Sequence, residues 1–463
     1  MTIDDAAGLF ERDFESYVKA LTTFLSIPSL SARPEHADDM ARCAAWLRDR
    51  LTAAGLEADV LPTAGHPVVV ADSGPPEENP DAPTILLYGH YDVQPPGDET
   101  LWHTSPFEPT VRDGAVFARG SADNKGQLMT HLAALASLHD AGRRPPVRVK
   151  CLYEGEEEVG SPNLPDFVCA QADRLACDAV LVTDASRLSG GRPALFYASR
   201  GLVYKEITLE GPPHDLHSGH YGGAVGNPAN LMARIVASLQ DDAGRVRIPG
   251  FYKDVRRLTA VQRRWLGETA PSDAELIEET GVPALWGESR YSSAQRCTAR
   301  PTLDVNGWLA GYTGAGAATI IPARASAKVS MRLVPDQDPR AVSDAFDAAV
   351  RAACPPAVRA SVRTLSTCAA YQSPTDSPFL RAAAAALATA YGVRPALARE
   401  GGTWPILPMF KQVLGADSVV TGFADPHANA HGPNEFFSLD DLKRGTRTVL
   451  AFLDHCATPS AMK

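Results

Sequence analysis

The run Leu86-Leu87-Tyr88-Gly89-His90-Tyr91-Asp92-Val93 constrains this chain more than any other stretch. It reads as a buried β-strand whose carboxyl end presents a histidine and an aspartate. Side chains alternate across a strand, so His90 and Asp92 project to the same side. An imidazole whose other ring nitrogen meets a carboxylate is a common metal-ligand pair. A histidine in a plain strand-end turn has the same local sequence, so the rest of the chain must decide between them.

Around this strand the pattern alternates. Helical spacing covers residues 10–27, 37–54 and 125–141, and β-like runs cover 56–61, 67–71, 84–89, 147–153 and 179–183. The segment 74–80, rich in Gly, Pro and Glu, reads as a solvated loop. Such alternation predicts an α/β fold, a mixed and mostly parallel sheet with helices on both faces. Ligands bind beyond the carboxyl ends of strands in such sheets, and His90, Glu157 and Asp184 each follow one. From residue 202 the order becomes strand 203–209, helix 227–239, strands 303–309 and 325–333, helix 340–353 and strand 357–365. This is the β-α-β-β-α-β order of a ferredoxin-like α+β domain, with an irregular insertion at 251–300. Alternation resumes through an Ala-rich helix at 379–391 to a closing helix at 439–456. A chain of 463 residues is long for one core. The expected domains are 1–201 and 373–463 for the larger one, with 202–372 inserted.

The net charge of −11 argues against general binding of nucleic acid or anionic membrane. The start, Met1-Thr2-Ile3-Asp4-Asp5, lacks a secretory pattern, and no apolar run has the length of a membrane span. The eight cysteines are scattered without a CxxC pair, which points to free thiols. The expectation is a soluble cytoplasmic protein with small-molecule or peptide partners.

Five segments offer ligands: Gly89-His90-Tyr91-Asp92, Arg119-Gly120-Ser121-Ala122-Asp123-Asn124-Lys125-Gly126, the acidic run 154–161, Val182-Thr183-Asp184, and Ala430-His431-Gly432-Pro433-Asn434-Glu435. Imidazole and carboxylate without thiolate suit zinc or manganese in a hydrolytic site. Two divalent ions bring four positive charges, which three carboxylates and a bridging hydroxide would balance. A buried site needs about that balance. Each segment has a plainer reading. The run from Glu154 to Glu158 can be a solvated turn, though it follows an apolar strand and is broken by Gly155 and Gly160. Asp123 can cap the helix that follows it, and Asp184 can be a turn residue. Spacing does not separate His431 from His427, and His103 reads as a packing or surface residue.

The motifs GHYDV, RGSADNKG, EGEEEVGS, VTDA, DLHSGHYGG, TIIP, MRLVP, REGGTWPI and AHGPNE occur in the order, and at about the spacings, of metallopeptidase family 20. That family includes carnosinases, Cys-Gly dipeptidases, glutamate carboxypeptidases, aminoacylases and succinyl-diaminopimelate desuccinylase. Over nearly its whole length the chain most resembles the carnosinase and cytosolic non-specific dipeptidase branch. The resemblance implies a zinc-peptidase-like catalytic domain with an inserted lid and dimerisation domain, and two divalent ions per subunit, Zn2+ or Mn2+. It places His90 and Asp184 on one metal, His431 and Glu158 on the other, and Asp123 between them, with a cis peptide bond to Asn124. Asp92 orients His90, and Glu157 is the general base for a metal-bridging water. The extra carboxylate Glu156 leaves a one-residue slip in this motif open. His217 matches a lid histidine that reaches the partner subunit's site. Its neighbours His214 and His220 lack a second carboxylate nearby for a separate metal site. Thr319, Arg332, Gly401, Gly402 and Thr403 match substrate-binding positions, Thr403 standing where many relatives have Ser. The implied activity is hydrolysis of dipeptides or short amides by a homodimer. Deacylation of N-acyl amino acids on the same scaffold is the alternative.

Overall fold

The computed structural model describes residues 3–77 and 79–457; Met1, Thr2, Glu78, which is within the 74–80 loop, and 458–463 lie outside them. The chain divides into two compact units. The first takes in the residues up to Tyr197, Ser373–Leu397, and those from Met409 onward; the second is Ala198–Gln372 with Ala398–Pro408. The segment Ala398–Pro408, expected with the closing part of the larger domain, groups with the second unit. Hydrogen bonds tie it there: Arg200 Nε donates to the Gly401 carbonyl and an Arg332 guanidinium nitrogen to Thr403 Oγ1, each at 2.7 Å.

In the first unit the sheet runs Glu57–Leu61, Val68–Asp72, Arg148–Glu154, Thr84–His90, Ala179–Thr183, Asp417–Thr421, Ala194–Ser199. The four strands from Arg148–Glu154 to Asp417–Thr421 are mutually parallel, and the flanking pairings are antiparallel. Every residue of Ala179–Thr183, and every residue of Thr84–His90 after the first, is buried. Both alternating sets of side chains are therefore covered, and covered on both faces is how a parallel sheet is stabilised. The helix Lys125–Asp140 packs on this sheet with nearly all its side chains buried, polar Lys125, Gln127, Thr130 and His131 among them.

The second unit holds a four-stranded antiparallel sheet in the order Thr302–Ala310, Arg324–Leu333, Gly201–Glu210, Arg359–Cys368. Numbered along the chain this is 2-3-1-4, the ferredoxin-like arrangement. Its inner face, with Val203, Ile207, Val329 and Met331, packs against Met232 and Ile235 of the helix Pro228–Ser238 and Phe346 and Val350 of Pro339–Ala353.

The sequence reading also departs from the structure in two helical segments. The helix expected over 10–27 is two, Ile3–Arg12 and Phe14–Leu25, because the Asp13 carbonyl turns to accept from both the backbone N–H and the hydroxyl of Ser16. The insertion at 251–300 is not irregular: it holds the helices Ala260–Thr269, Asp273–Thr280 and Ser293–Thr298. Each starts with a capping box, Thr259 with Gln262, Ser272 with Glu275 and Ser292 with Gln295, a signal readable in sequence. All eight cysteines are free, and among the described residues no helix is long and apolar enough to cross a membrane.

Gly422, just after the parallel strand Asp417–Thr421, lies so close to the Ala185 carbonyl that an added Cβ would sit 1.7 Å from its oxygen. Gly422→Ala should therefore force the 184–186 and 421–424 segments apart and lower stability by about 1–3 kcal/mol. Thermal unfolding checks this, and an unchanged transition contradicts it.

Candidate metal centre

The parallel strands deliver their last residues to one end of the first unit. His90 ends its strand with its ring fully buried. Its Nδ1 lies 3.1 Å from the Asp92 carbonyl and 3.3 Å from the Asp92 carboxylate. Both are acceptors, so Nδ1 carries a proton and Nε2 faces the site. The buried Asp92 carboxylate also accepts from the backbone N–H groups of Glu157 and Glu158, at 3.2 and 3.1 Å. It thereby fixes the short 3-10 turn Glu157–Val159 against the end of the His90 strand.

Asp123 precedes the buried helix Lys125–Asp140, and its peptide bond to Asn124 is cis. One Asp123 oxygen is 3.0 Å from His90 Nε2 and the other is 3.1 Å from His431 Nε2. His90 Nε2 lies 3.8 Å from Asp184, and His431 Nε2 lies 3.1 Å from Glu158. Asn124 Nδ2 holds Asp184 with a 2.7 Å hydrogen bond. Two groups result, His90–Asp123–Asp184 and Asp123–Glu158–His431, each with its ligand atoms within 4.8 Å of one another, and Asp123 belongs to both.

His431 reaches this point from an unusual loop. It has φ of 62°, and Asn429 and Asn434 have φ of 56° and 58°, the left-handed region that non-glycine residues seldom occupy. Asn434 pins the loop by accepting from the backbone N–H of His103 and donating to the Leu101 carbonyl. Neither His427 nor His103 belongs to either ligand group. The Glu156 carboxylate is taken up by Asn163 Nδ2, at 2.9 and 3.0 Å, and by the backbone N–H of His66.

Electrostatics matches the geometry. Burial opposes charge on His90, yet hydrogen bonding to Asp123, Asp184 and Asp92 holds its pKa well above the ordinary imidazole value. Asp123 and Glu158 raise His431 to about 10. Burial likewise opposes charge on Asp123, but hydrogen bonds from His431 and His90 keep it well below the usual carboxylate range. Glu157 is pushed well above its ordinary value, by burial first; His90 offsets this, and Asp184, Asp123 and Glu158 add to it. These carboxylates draw positive charge to the two imidazoles, and divalent cations held by the same atoms would supply it. The chemistry of the donors therefore fits metal ions. So does Glu158 Oε1, which is buried without a hydrogen-bond partner among the described residues, a costly condition that a cation would relieve.

Two further contributors take roles that the sequence reading does not assign, although Glu435 closes the AHGPNE motif. Glu435 is fully buried and accepts from Arg119 at 2.6 Å and from the backbone N–H groups of Gly120, Ala122 and Asp123 at 2.8–3.0 Å. The pairing of Phe436–Ser438 with Ala115–Phe117 brings it there. In the second unit, Arg200 is lowered to about 10 by burial and by neighbouring Arg332, and one of its guanidinium nitrogens is buried without a partner. Also in that unit, the backbone N–H of Gly402 donates to Glu400. His217 Nδ1 accepts from the Gly219 N–H, its ring lies 4.5 Å from that of His220, and the Thr319 carbonyl accepts from the Ser218 N–H.

The chain matches the model of Peptidase family M20/M25/M40 over residues 86–455. It is 28% identical to the Cys-Gly metallodipeptidase dug1 of Schizosaccharomyces pombe, covering 99% of each chain. It is 25% identical to the Beta-Ala-His dipeptidase of Mus musculus, covering 96% of this chain and 95% of the other. Among solved structures it is similar to the M20 family metallo-carboxypeptidase Sso-CP2 from Sulfolobus solfataricus, with a TM-score of 0.84 and 34% identity over 95% of this chain and 99% of that one.

Removing the Glu435 carboxylate strands the buried Arg119 guanidinium without its counter-charge. Glu435→Ala should cost about 3–5 kcal/mol, read as a fall in the thermal unfolding temperature. An unaltered transition would show that the pair does not support the Asp123 segment.

Proposed function

The chain belongs to Peptidase family M20/M25/M40, and from that membership and the site's geometry we propose that it is a metal-dependent dipeptidase. Its substrates are dipeptides or short peptide-like amides, as the names of its relatives suggest. The observation that carries the reading is Asp123, whose two carboxylate oxygens face two different imidazoles, each with a further carboxylate beside it. On this reading His90, Asp184 and Asp123 would hold one ion, and His431, Glu158 and Asp123 would hold the other. Asp92 fixes the tautomer and orientation of His90 without touching metal. Two divalent ions, zinc or manganese, would there supply Lewis-acid polarisation of the scissile carbonyl and acidify water.

Glu157 takes the proton of the attacking water and passes it to the leaving nitrogen. Its place in the turn that Asp92 fixes beside Glu158 supports that role. We assign His217 to oxyanion stabilisation in the partner subunit's site, and Arg332, Thr319, Thr403, Gly401 and Gly402 to substrate binding. Arg332 is bonded to a neutral hydroxyl, that of Thr403. With Arg200 beside it, it has positive charge to spare for the substrate carboxylate.

The segment 202–372 is proposed as lid and dimerisation domain, inserted between the catalytic parts 1–201 and 373–463. The edge strand Thr302–Ala310 exposes Val305, Trp308 and Leu309, and an apolar sheet edge is a natural site for pairing with a second copy. The free cysteines fit a reducing cytoplasm.

One experiment tests base and dimer together. Glu157→Gln should lower dipeptide turnover by about 10²–10⁴-fold with metal content retained, and His217→Ala should also be crippled. Unfolded, mixed and refolded together, the two variants should regain about a quarter of wild-type activity, because half the dimers would hold one intact site of two. An active Glu157→Gln protein would refute the base. Crippled variants that show no complementation would refute His217 acting across the dimer. N-acyl amino acids assayed beside the dipeptides separate deacylation from peptide hydrolysis.

A further inference from the structure

We propose that the insertion between residues 251 and 300 builds a second ligand site, a pocket that binds a compact multivalent oxyanion carrying phosphate or carboxylate groups. The pocket lies wholly within the second unit and encloses about 360 Å³, toward the small end of ligand pockets, which run from roughly 300 to 1,000 Å³. Arg256, Arg257, Arg263, Arg290 and Arg300 line it, together with Tyr291, and no acidic side chain does. A chain of net charge −11 does not gather five guanidinium groups around one hollow by composition alone.

The arginines divide into two sets. Arg300 is fixed as a wall. It forms hydrogen bonds of 2.9 and 3.0 Å to the two oxygens of Glu288, and it lies over the Tyr291 and Tyr252 rings at 4.2 and 4.8 Å. Arg256 is paired with Asp336 at 2.8 Å. Arg263, in the first turn of the helix Ala260–Thr269, donates only to the Leu258 carbonyl. Among the described residues neither Arg257 nor Arg290 has an acidic partner, and both are exposed at the pocket. Three positive charges thus face one concavity without compensation, each offering the planar fork that matches carboxylate and phosphate oxygens. Like charges held together repel, and an anion seated between them removes that repulsion. The volume of the hollow suits a small molecule.

The site does not depend on the metal centre, and its test is separable from any activity assay. Inorganic phosphate and citrate are titrated calorimetrically into the whole protein at ionic strength held constant with chloride, alongside Arg257→Ala/Arg290→Ala and Arg257→Lys/Arg290→Lys. At least one anion should bind saturably, one per chain. The alanine pair should weaken that binding about ten-fold or more, and the lysine pair should recover part of it. Both exposed pairs should unfold at the wild-type temperature with dipeptide turnover unchanged. Citrate chelates divalent ions, but that heat persists in the alanine pair, so affinity equal to wild type there overturns the proposal. No saturable binding of either anion, or binding only of a polyanion such as heparin, overturns it as well.

Discussion

Everything at the metal centre depends on one buried carboxylate placed between two imidazoles. Asp123 can hold that position only if the backbone before it is fixed, and Glu435 fixes it. The Glu435 side chain accepts from three backbone N–H groups of the 120–123 loop, those of Gly120, Ala122 and Asp123, and from Arg119. His431 stands four residues before Glu435 on the same loop. The segment that steadies Asp123 is therefore the segment that supplies the second imidazole. Residues more than 300 positions apart in sequence are joined by the short pairing of Ala115–Phe117 with Phe436–Ser438. Asp92 does the equivalent work on the other side, joining the His90 ring to the turn that carries Glu157 and Glu158.

Much of this is legible in the sequence. The strands Thr84–His90, Arg148–Glu154 and Ala179–Thr183 are long apolar runs buried on both faces, so burial and periodicity mark them directly. The β-α-β-β-α-β order of the second unit was readable for a similar reason: its strands alternate and its two helices are amphipathic. Less legible were Thr110–Arg112, Ala115–Phe117 and Phe436–Ser438. A three-residue strand has too few positions to show a period, and its existence rests on a partner far away in sequence.

The site divides along the same line. The candidate ligands at the ends of strong strands, His90 and Asp184, follow from the strands. The choice between His427 and His431 does not follow from spacing, because a left-handed conformation at His431, braced by Asn434, decides it. The choice among Glu156, Glu157 and Glu158 turns on how a 3-10 turn rotates successive side chains. Asn163 and His66 occupy Glu156, while Asp92 grips the backbone of the next two. Glu435 closes the AHGPNE motif, but its role, like that of Arg200, is not legible there, since a single charged residue becomes meaningful only through what it is buried against. The arginine pocket is similar: its capping boxes were readable, but the convergence of its guanidinium groups was not.

The central claim is that two ions share Asp123, and metal stoichiometry at saturation tests it most directly. With zinc or manganese supplied in turn and unbound metal removed, wild-type protein should retain two ions per chain and His431→Ala one. Asp123→Ala should retain fewer than His431→Ala, because it removes a ligand from both positions. A wild-type content of one ion per chain, or two ions kept by Asp123→Ala, would contradict the shared centre.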